Sequence, residues 1–146
     1  LRALGQGQKV IVIQFMKGRK DIGEYKIQKK LKNLEVYQFG RKEFIDLSRP
    51  TTEDKELAKK GLDFIKETIK KKPKVLILDE INLATRIRLL NIKEVVQIIK
   101  NIPKNINVYL TGRYASRALI KTADFVTRVE DIKRPKEIIA RKGIDY

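Results

Sequence analysis

The sequence contains no cysteine, no histidine and no tryptophan, and it has a single methionine among 146 residues. Without cysteine there is no disulfide framework, which makes a cytoplasmic protein the default expectation. The lack of both cysteine and histidine excludes thiolate or imidazole metal sites, cysteine nucleophiles and histidine general bases. A metal site in this chain would therefore need oxygen ligands and a hard cation, which indicates Mg²⁺.

The sequence also lacks an apolar run long enough to span a membrane, and it has no signal-peptide pattern. We therefore expect no membrane partner. With 42% hydrophobic and 36% charged residues, the composition is typical of a folded globular protein. The length suits one domain with a sizeable core, and no internal repeat or low-complexity segment divides it. We predict a single domain over residues 1–146.

The sequence has few acidic residues. It contains 18 aspartates and glutamates and 34 lysines and arginines, which gives a net charge of +16. Such a charge would attract nucleic acid, and it would equally attract a polyphosphate. The basic residues are spread through the chain in short runs, mostly on predicted helix faces and helix ends. No strand interleaves aromatic with basic residues, so nucleic acid is the poorer interpretation.

The most informative stretch is Lys74–Asn82, KVLILDEIN. Its apolar run, Val75 to Leu78, is typical of a strand buried on both faces of a parallel sheet. Two adjacent carboxylates, Asp79 and Glu80, follow directly, although a buried carboxylate is costly without a cation or donors nearby. In nucleotide-binding proteins this arrangement is a Walker-B element, which holds Mg²⁺ beside the phosphates. The alternative is an ordinary strand followed by an aspartate that caps a helix.

Other apolar runs alternate with helical patterns along the chain. Further strands are predicted at Lys9–Phe15, Leu34–Phe39, Asn107–Leu110 and Ala123–Val129. Helices are predicted within Ile22–Leu31, from a Thr51 cap to Lys70, from an Asn91 cap with Glu94 as its capping-box partner, and at Ala115–Lys121. This alternation, with strands that are apolar on both faces, predicts an α/β fold with a parallel sheet covered by helices.

Polar loops follow several of these strands, at the sheet edge where open α/β proteins bind ligands. Residues 16–20 form a glycine-bearing basic loop, and Thr111, Gly112 and Arg113 follow another strand. Arg113 suits a phosphate or carboxylate, or it could pair with one of the two acids. Phe39 and Phe44 flank a basic loop and could stack on a planar ligand, although both could equally be core residues.

The chain opens on Leu1–Leu4 followed by Gly5, which is typical of the last turn of a helix with its glycine cap. Because four residues cannot form a stable helix alone, we expect that helix to start in a segment that precedes this sequence.

Five stretches in this order resemble one family, the cobalamin (corrinoid) adenosyltransferases of the P-loop type. They are Leu1–Gly18, Leu78–Ala84, Leu110–Arg113, Ala123–Val129 and Ala140–Tyr146. The motifs LDE and TGR are weak signals singly, whereas the ordered set is specific and covers essentially the whole chain.

The resemblance implies a RecA-like P-loop NTPase architecture and a transferase. Such an enzyme moves the 5′-deoxyadenosyl group of ATP to the Co(I) of a corrinoid and releases triphosphate, in adenosylcobalamin biosynthesis or salvage. The resemblance further implies Mg²⁺, a homodimer and a partner protein that reduces Co(II). Because Co(I) is itself the nucleophile, a chain without cysteine or histidine is compatible with this chemistry.

The resemblance also assigns roles to individual residues. Glu80 would be the Mg²⁺ ligand and, with Asp79 beside it, a catalytic residue. The residues expected to bind the nucleotide are Gln14, Thr111, Gly112 and Arg113. Those expected to bind the corrinoid are Lys17, Gly18, Phe39, Phe44 and Asn82.

One feature of the family is missing: no GxxxxGK[ST] phosphate loop occurs in residues 1–146. In the family that loop precedes the helix whose end matches Leu1–Leu4, so we expect it in the preceding segment as well. Two alternatives remain open. One is a RecA-like ATPase that acts on nucleic acid, and the other is a non-catalytic binding module without a phosphate loop.

Overall fold

The computed structural model describes residues 1–137 and 139–144. A parallel sheet in the strand order β2-β1-β3-β4 forms its centre. The strands are β1 (Val10–Phe15), β2 (Leu34–Phe39), β3 (Val75–Asp79) and β4 (Asn107–Leu110). All four were predicted within one residue at each end, and the α/β class with a parallel sheet is confirmed. The matching stretch Ala140–Tyr146 ends in two residues, Asp145 and Tyr146, that lie outside the described part.

Helices connect the strands. They are α1 (Arg2–Gly5), α2 (Gly23–Lys26) with a 3₁₀ turn at Ile27–Lys29, α3 (Thr52–Lys70), α4 (Ile81–Arg86), α5 (Ile92–Lys100) and α6 (Arg117–Thr122). Within the described ranges, none of these helices combines the length and the apolar character needed to cross a membrane.

Two of the predicted helix caps are present. The Thr51 hydroxyl accepts a hydrogen bond from the Asp54 amide, while the Asp54 carboxylate accepts one from the Thr51 amide, which completes a capping box at the start of α3. At the start of α5, the Asn91 side chain accepts from the Lys93 amide. The expected capping-box role of Glu94 is not observed, because its carboxylate pairs with Lys59 of α3.

The core lies between one face of the sheet and the helices. Ile11, Ile13 and Phe15 of β1 are fully buried, and Leu76 and Leu78 of β3 lie beside them in register. These side chains pack with apolar residues of α3, α4 and α5, namely Ala58, Leu62, Ile65, Ile81, Ala84 and Val95. The buried residues of α3 recur at helical spacing, so the helix turns one face toward the sheet.

The opposite face of the sheet is less covered by the described residues than the apolar runs predicted. Val12 and Ile77 are half-buried at the middle of this face, and the neighbouring Tyr109 is 58% exposed. The continuous apolar runs of β1 and β3 therefore do not correspond to strands that are equally buried on both faces.

The predicted strand at Ala123–Val129 is wrong. These residues follow α6 without joining the sheet, and Phe125 and Val129 are 94% and 89% exposed. The prediction depended on β-branched and aromatic composition, which favours a strand only where a neighbouring strand supplies backbone partners and packing.

The short helix α4 was not predicted. It starts directly after β3, and Glu80 at its N-cap position has a left-handed backbone (φ 63°) and makes no side-chain capping bond. A helix here was expected only in the alternative interpretation, in which the aspartate after the strand caps it. Asp79 instead ends β3 and accepts from Lys17, Gln14 and Thr111, and the N-cap residue is a glutamate, which is not among the residues that favour a helix start. The start of this helix lies against the turn after β4, where the Asn82 amide donates to the Thr111 carbonyl.

Candidate functional site

The predicted ligand edge of the sheet exists, and most of the predicted polar residues meet there. Because the strands are parallel, Gln14 of β1 lies in register with Asp79 of β3, and Thr111 comes directly after β4. Left-handed backbone conformations concentrate at this edge, at Met16 after β1 and at Glu80 after β3. Such conformations are costly for residues other than glycine and are typical of functional sites.

Asp79 is the centre of a hydrogen-bond network. Its Oδ2 atom accepts from Lys17 Nζ at 2.8 Å and from Gln14 Nε2 at 3.2 Å. Its Oδ1 atom accepts from the Thr111 hydroxyl at 2.7 Å. Both carboxylate oxygens therefore have donors from three different segments of the chain. Asp79 joins the ends of β1, β3 and β4 into one polar cluster.

These contacts keep Asp79 ionised. Burial raises the pKa of the Asp79 carboxyl, but the hydrogen bonds from Lys17, Thr111 and Gln14 outweigh burial and hold the pKa below its ordinary value. The Lys17 ammonium forms an ion pair with Asp79, while 38% of the lysine side chain is exposed. Lys17 thus presents a cation at the surface of the cluster.

Gln38 is a member of the cluster that the sequence analysis missed. Its Nε2 atom donates to Gln14 Oε1 at 3.0 Å, so the network extends across four neighbouring strands. Its own Oε1 atom is buried and has no hydrogen-bond partner among the described residues. The signal was the position of Gln38 one residue before the end of β2, but only the strand register shows that it faces Gln14.

Unlike Asp79, Glu80 has a carboxylate oxygen that accepts no hydrogen bond from the described residues. Its Oε2 atom is buried and has no hydrogen-bond partner within the described ranges. The backbone amide of Glu80 donates to the Thr111 hydroxyl at 3.2 Å, which fixes the residue beside the acid pair. A buried carboxylate oxygen without a donor is costly, and a cation is the partner that would relieve this cost.

The environment of Glu80 fits Mg²⁺. In proteins this ion is usually bound by one or two carboxylates together with waters and substrate phosphates. Glu80 offers one free carboxylate oxygen, and Asp79 beside it offers a second anion whose lone pairs are partly engaged. No group of three or more acidic side chains that could hold a metal occurs in the described part of the chain, so a cage made only of carboxylates is not the arrangement seen here.

Gly112 allows the acid pair and the β4 turn to approach each other. Its φ of +115° lies in a region that favours glycine, and a Cβ atom there would lie 2.9 Å from Glu80 Oε2. Asn82 fixes the same turn, because its Nδ2 donates to the Gly112 carbonyl at 3.1 Å and its amide donates to the Thr111 carbonyl at 3.2 Å. Asn82 Oδ1 is buried and unpartnered among the described residues, so it can accept a ligand donor.

Arg113 extends from this turn into solvent. Its guanidinium carbon lies 6.0 Å from the centre of the Tyr114 ring, and the side chain is exposed. In the described residues it forms no ion pair with Asp79 or Glu80, so that alternative for Arg113 is not observed. The guanidinium is therefore available to an anion at this edge.

The two phenylalanines predicted to contact a planar ligand lie in different surroundings. Phe39 packs against Phe64 with ring centres 5.5 Å apart and touches α3 at Gly61, as an ordinary core residue would. Phe44 is 94% exposed in the segment between β2 and α3. The structure therefore does not bring Phe39 and Phe44 together, and their role at a ligand stays a prediction.

The fold and the site define a class: a parallel α/β protein with a Walker-B-like acid pair at the carboxyl edge of its sheet. The comparison with protein families gives the particular family. The family model described as ATP:corrinoid adenosyltransferase BtuR/CobO/CobP matches residues 1–146. The chain belongs to this family of transferases, as the resemblance predicted, and the nucleic-acid ATPase alternative is not favoured.

Individual relatives agree with the family match. A corrinoid adenosyltransferase of Sinorhizobium sp. is 34% identical over 151 residues, which cover 99% of this chain and 70% of the relative. One of Pseudomonas aeruginosa is 30% identical, covering 99% of this chain and 73% of the relative. One of Escherichia coli K12 is 28% identical, covering 99% and 74% respectively.

Proposed function

We propose that this chain transfers the 5′-deoxyadenosyl group of ATP to the cobalt of a Co(I) corrinoid. Co(I) supplies the electron pair that forms the bond to C5′, the C5′–O bond breaks, and triphosphate leaves with the electron pair of that bond. The observation that carries the proposal is the buried Glu80 oxygen, unpartnered among the described residues, beside the hydrogen-bonded Asp79 at the ligand edge of a chain from this family.

The proposed roles follow from the contacts. Glu80 would hold Mg²⁺, which when bound neutralises charge on the triphosphate leaving group. Asp79 holds the Lys17 ammonium and the Thr111 hydroxyl at fixed positions, so that neither group reorganises when the substrates bind. The hydroxyl would face the phosphates and the ammonium would face the corrinoid. Gln14 acts through Asp79, and Arg113 would add a fork of donors from the exposed β4 turn.

The corrinoid would lie against the same edge. Lys17, Gly18 and Asn82 form its border in this proposal, with the exposed Phe44 available for apolar contact and Phe39 beneath the loop. The protein itself contributes no nucleophile, so its work is to orient C5′ toward cobalt and to exclude water.

The phosphate loop belongs to the same proposal. Residues 1–146 would form one nucleotide- and corrinoid-binding domain, and a glycine-rich loop in a segment before α1 would cradle the triphosphate. We further propose a homodimer, a protein partner that reduces Co(II), and a cytoplasmic location, because the family resemblance and the cysteine-free composition favour them. Intact mass and light scattering of the purified protein test the segment and the dimer.

The test of the activity is anaerobic incubation of the purified protein with MgATP and chemically reduced cobalamin. We expect a light-sensitive alkylcobalamin and one equivalent of intact triphosphate. Glu80→Gln should lower kcat by roughly 100-fold or more while the protein stays folded, because it removes a cation ligand and leaves the core untouched. Glu67→Gln, a matched change on the exposed face of α3, should leave the rate unchanged. Release of single phosphates without a cobalt–carbon bond would contradict the proposal.

A further inference from the structure

Three side chains form a row across neighbouring strands at the ligand edge of the sheet. Gln38 of β2 lies in register with Gln14 of β1, and Gln14 lies in register with Asp79 of β3. Gln38 Nε2 donates to Gln14 Oε1 at 3.0 Å, and Gln14 Nε2 donates to Asp79 Oδ2 at 3.2 Å. Gln38 is the far end of this row, and the proposed mechanism gives it no part.

The carboxylate at the other end fixes the direction of these hydrogen bonds. Asp79 also accepts from Lys17 and Thr111, so both of its oxygens act as acceptors. The Gln14 amide therefore turns its nitrogen toward Asp79 and its oxygen toward β2. A donor is then required opposite Gln14 Oε1, and Nε2 is the atom of Gln38 that can supply it.

Gln38 makes this hydrogen bond at a cost in free energy. Its Oε1 atom is buried and accepts no hydrogen bond from the part of the chain that the structure describes, which is destabilising. A methionine has about the same length and no strongly polar atom to satisfy, so it would fill the position without that cost. The property that distinguishes glutamine from an apolar residue here is the hydrogen bond to Gln14.

Gln28 shows what a purely structural glutamine looks like beside the same strand. Its Oε1 atom accepts from the Val36 amide of β2 at 3.0 Å, and its Nε2 atom donates to the Tyr25 carbonyl at 2.9 Å. Both polar groups of Gln28 are therefore satisfied by backbone. Gln38 has a side-chain partner instead, and that partner leads to the acid pair.

We propose that Gln38 is a positioning residue, which holds the Gln14 amide in the orientation that donates to Asp79. Because Asp79 in turn orients Lys17 and Thr111, a loosened Gln14 amide would loosen the donors that face the two substrates. The effect on the reaction rests on the proposed function, whereas the effect on the Gln14 amide does not depend on it.

The first experiment observes the Gln14 amide directly, in the full chain without substrates. The sequence has six glutamines, so ¹⁵N labelling of their side chains gives few carboxamide signals, and Gln14→Met identifies the signal of Gln14. Gln14 is buried and hydrogen-bonded at both ends, so its carboxamide protons should exchange with solvent roughly 100-fold more slowly than those of the exposed Gln97. Gln38→Met should accelerate the Gln14 exchange about 10-fold.

The stability of the variants separates positioning from packing. Gln38→Met removes one unpartnered acceptor and leaves another, Gln14 Oε1, so the midpoint of denaturant unfolding should stay close to that of the wild type. Gln28→Met is the matched control: it should lower the midpoint and leave the Gln14 exchange unchanged. Unchanged Gln14 exchange in Gln38→Met would overturn the inference, as would an equal acceleration in Gln28→Met.

A double-mutant cycle then measures the effect on the reaction. Gln38→Met should lower kcat by roughly threefold to 10-fold and leave KM for MgATP within about twofold, since a positioning residue touches neither substrate. In a Gln14→Met background, Gln38→Met should have no further effect, because its connection to Asp79 is already lost. Effects of the two changes that multiply would show that Gln38 acts independently of Gln14, which would overturn the inference.

The two measurements distinguish a failure of this inference from a failure of the proposed function. If the wild type forms no cobalt–carbon bond while Gln38→Met still accelerates the Gln14 exchange, the proposed function fails and the orientation of Gln14 by Gln38 stands. If the wild type is active and Gln38→Met changes the exchange without changing kcat, the proposed function stands and the positioning role in the reaction fails.

Discussion

Gly18 and Gly40 bring the loop after β1 and the loop after β2 into direct backbone contact. A Cβ atom added at Gly18 would lie 2.3 Å from the Gly40 carbonyl oxygen, and one added at Gly40 would lie 2.3 Å from the Met16 carbonyl carbon. The Met16 amide also donates to the Phe39 carbonyl at 3.0 Å. Lys17 lies between Met16 and Gly18, so this contact fixes the backbone that places its ammonium on Asp79.

Gly18→Ala should therefore impair both folding and corrinoid binding. The methyl group meets backbone atoms that cannot move aside cheaply, and we expect a loss of about 1–3 kcal/mol in the free energy of unfolding. Denaturant unfolding and titration with a corrinoid measure the two effects. Gly23→Ala is the matched control, because a Cβ atom at Gly23 would meet nothing within 4 Å. A Gly18→Ala variant as stable as Gly23→Ala would contradict the contact.

The ion pair of Arg41 and Asp54 fixes the loop after β2 from the other side. The guanidinium donates to both oxygens of Asp54, at 2.8 and 3.2 Å, and the Asp54 side chain is only 4% exposed. Arg41→Gln should lower the free energy of unfolding by about 1–3 kcal/mol, since it leaves a buried carboxylate with fewer donors. Arg128→Gln, which breaks an exposed pair with Glu130, should cost less than about 1 kcal/mol.

The contribution of this pair should depend on pH in a defined direction. Burial raises the pKa of Asp54, but the bonds from Arg41 and Thr51 outweigh it and hold the pKa below the ordinary 3.8. The contribution of the ionised Asp54 to the free energy of unfolding is therefore fully present above its ordinary pKa of 3.8. It is lost as the pH falls through the lowered pKa that Asp54 has in the folded protein. The difference in unfolding free energy between wild type and Arg41→Gln should therefore shrink on acidification. A difference that grows would contradict this sign.

Sequence patterns predicted the part of the site that parallel topology dictates. Gln14, Lys17, Asp79 and Thr111 follow or end apolar runs, and parallel strands bring such positions to one edge. The predicted strand at Ala123–Val129 was wrong and the helix α4 was missed, for opposite reasons. The segment Ala123–Val129 has a strand-like composition but no partner strand, whereas α4 starts at Glu80, which makes no side-chain capping bond.

Sequence patterns did not predict which side chains would pair with each other across the fold. The pairing of Gln38 with Gln14 depends on strand register, and the ion pair of Arg41 with Asp54 depends on how the loop after β2 meets α3. The orientation of Phe39 is a similar case, because a residue at a strand end can face either the ligand or a helix. Only packing against Phe64 decides it.

The lowered pKa of Glu35, a residue away from the candidate site, can be measured directly. Hydrogen bonds from Lys71 and Tyr37 lower its pKa from 4.5 to about 2. Lys71→Met should raise this pKa substantially, although Lys9 remains 3.4 Å away and should keep it below 4.5. An NMR titration of the Glu35 carboxyl carbon measures the change. Lys70→Met is the control, because Lys70 pairs with Glu67 instead, and an equal shift in that variant would indicate a general charge effect.

Lys17→Met tests whether Asp79 depends on its lysine. Without the ammonium, the Asp79 carboxyl keeps its burial, which raises the pKa, and retains only the neutral donors of Thr111 and Gln14. The pKa should therefore rise, so the ionised form, and the stability it contributes above the pKa, would be lost at a higher pH than in the wild type. An NMR titration of Asp79 measures the shift directly. Lys20→Met, an exposed change in the same loop, serves as the control. If the Asp79 pKa stays low in Lys17→Met, the Thr111 hydroxyl and the Gln14 amide alone keep the carboxylate ionised. The role of Lys17 would then be confined to binding the ligand.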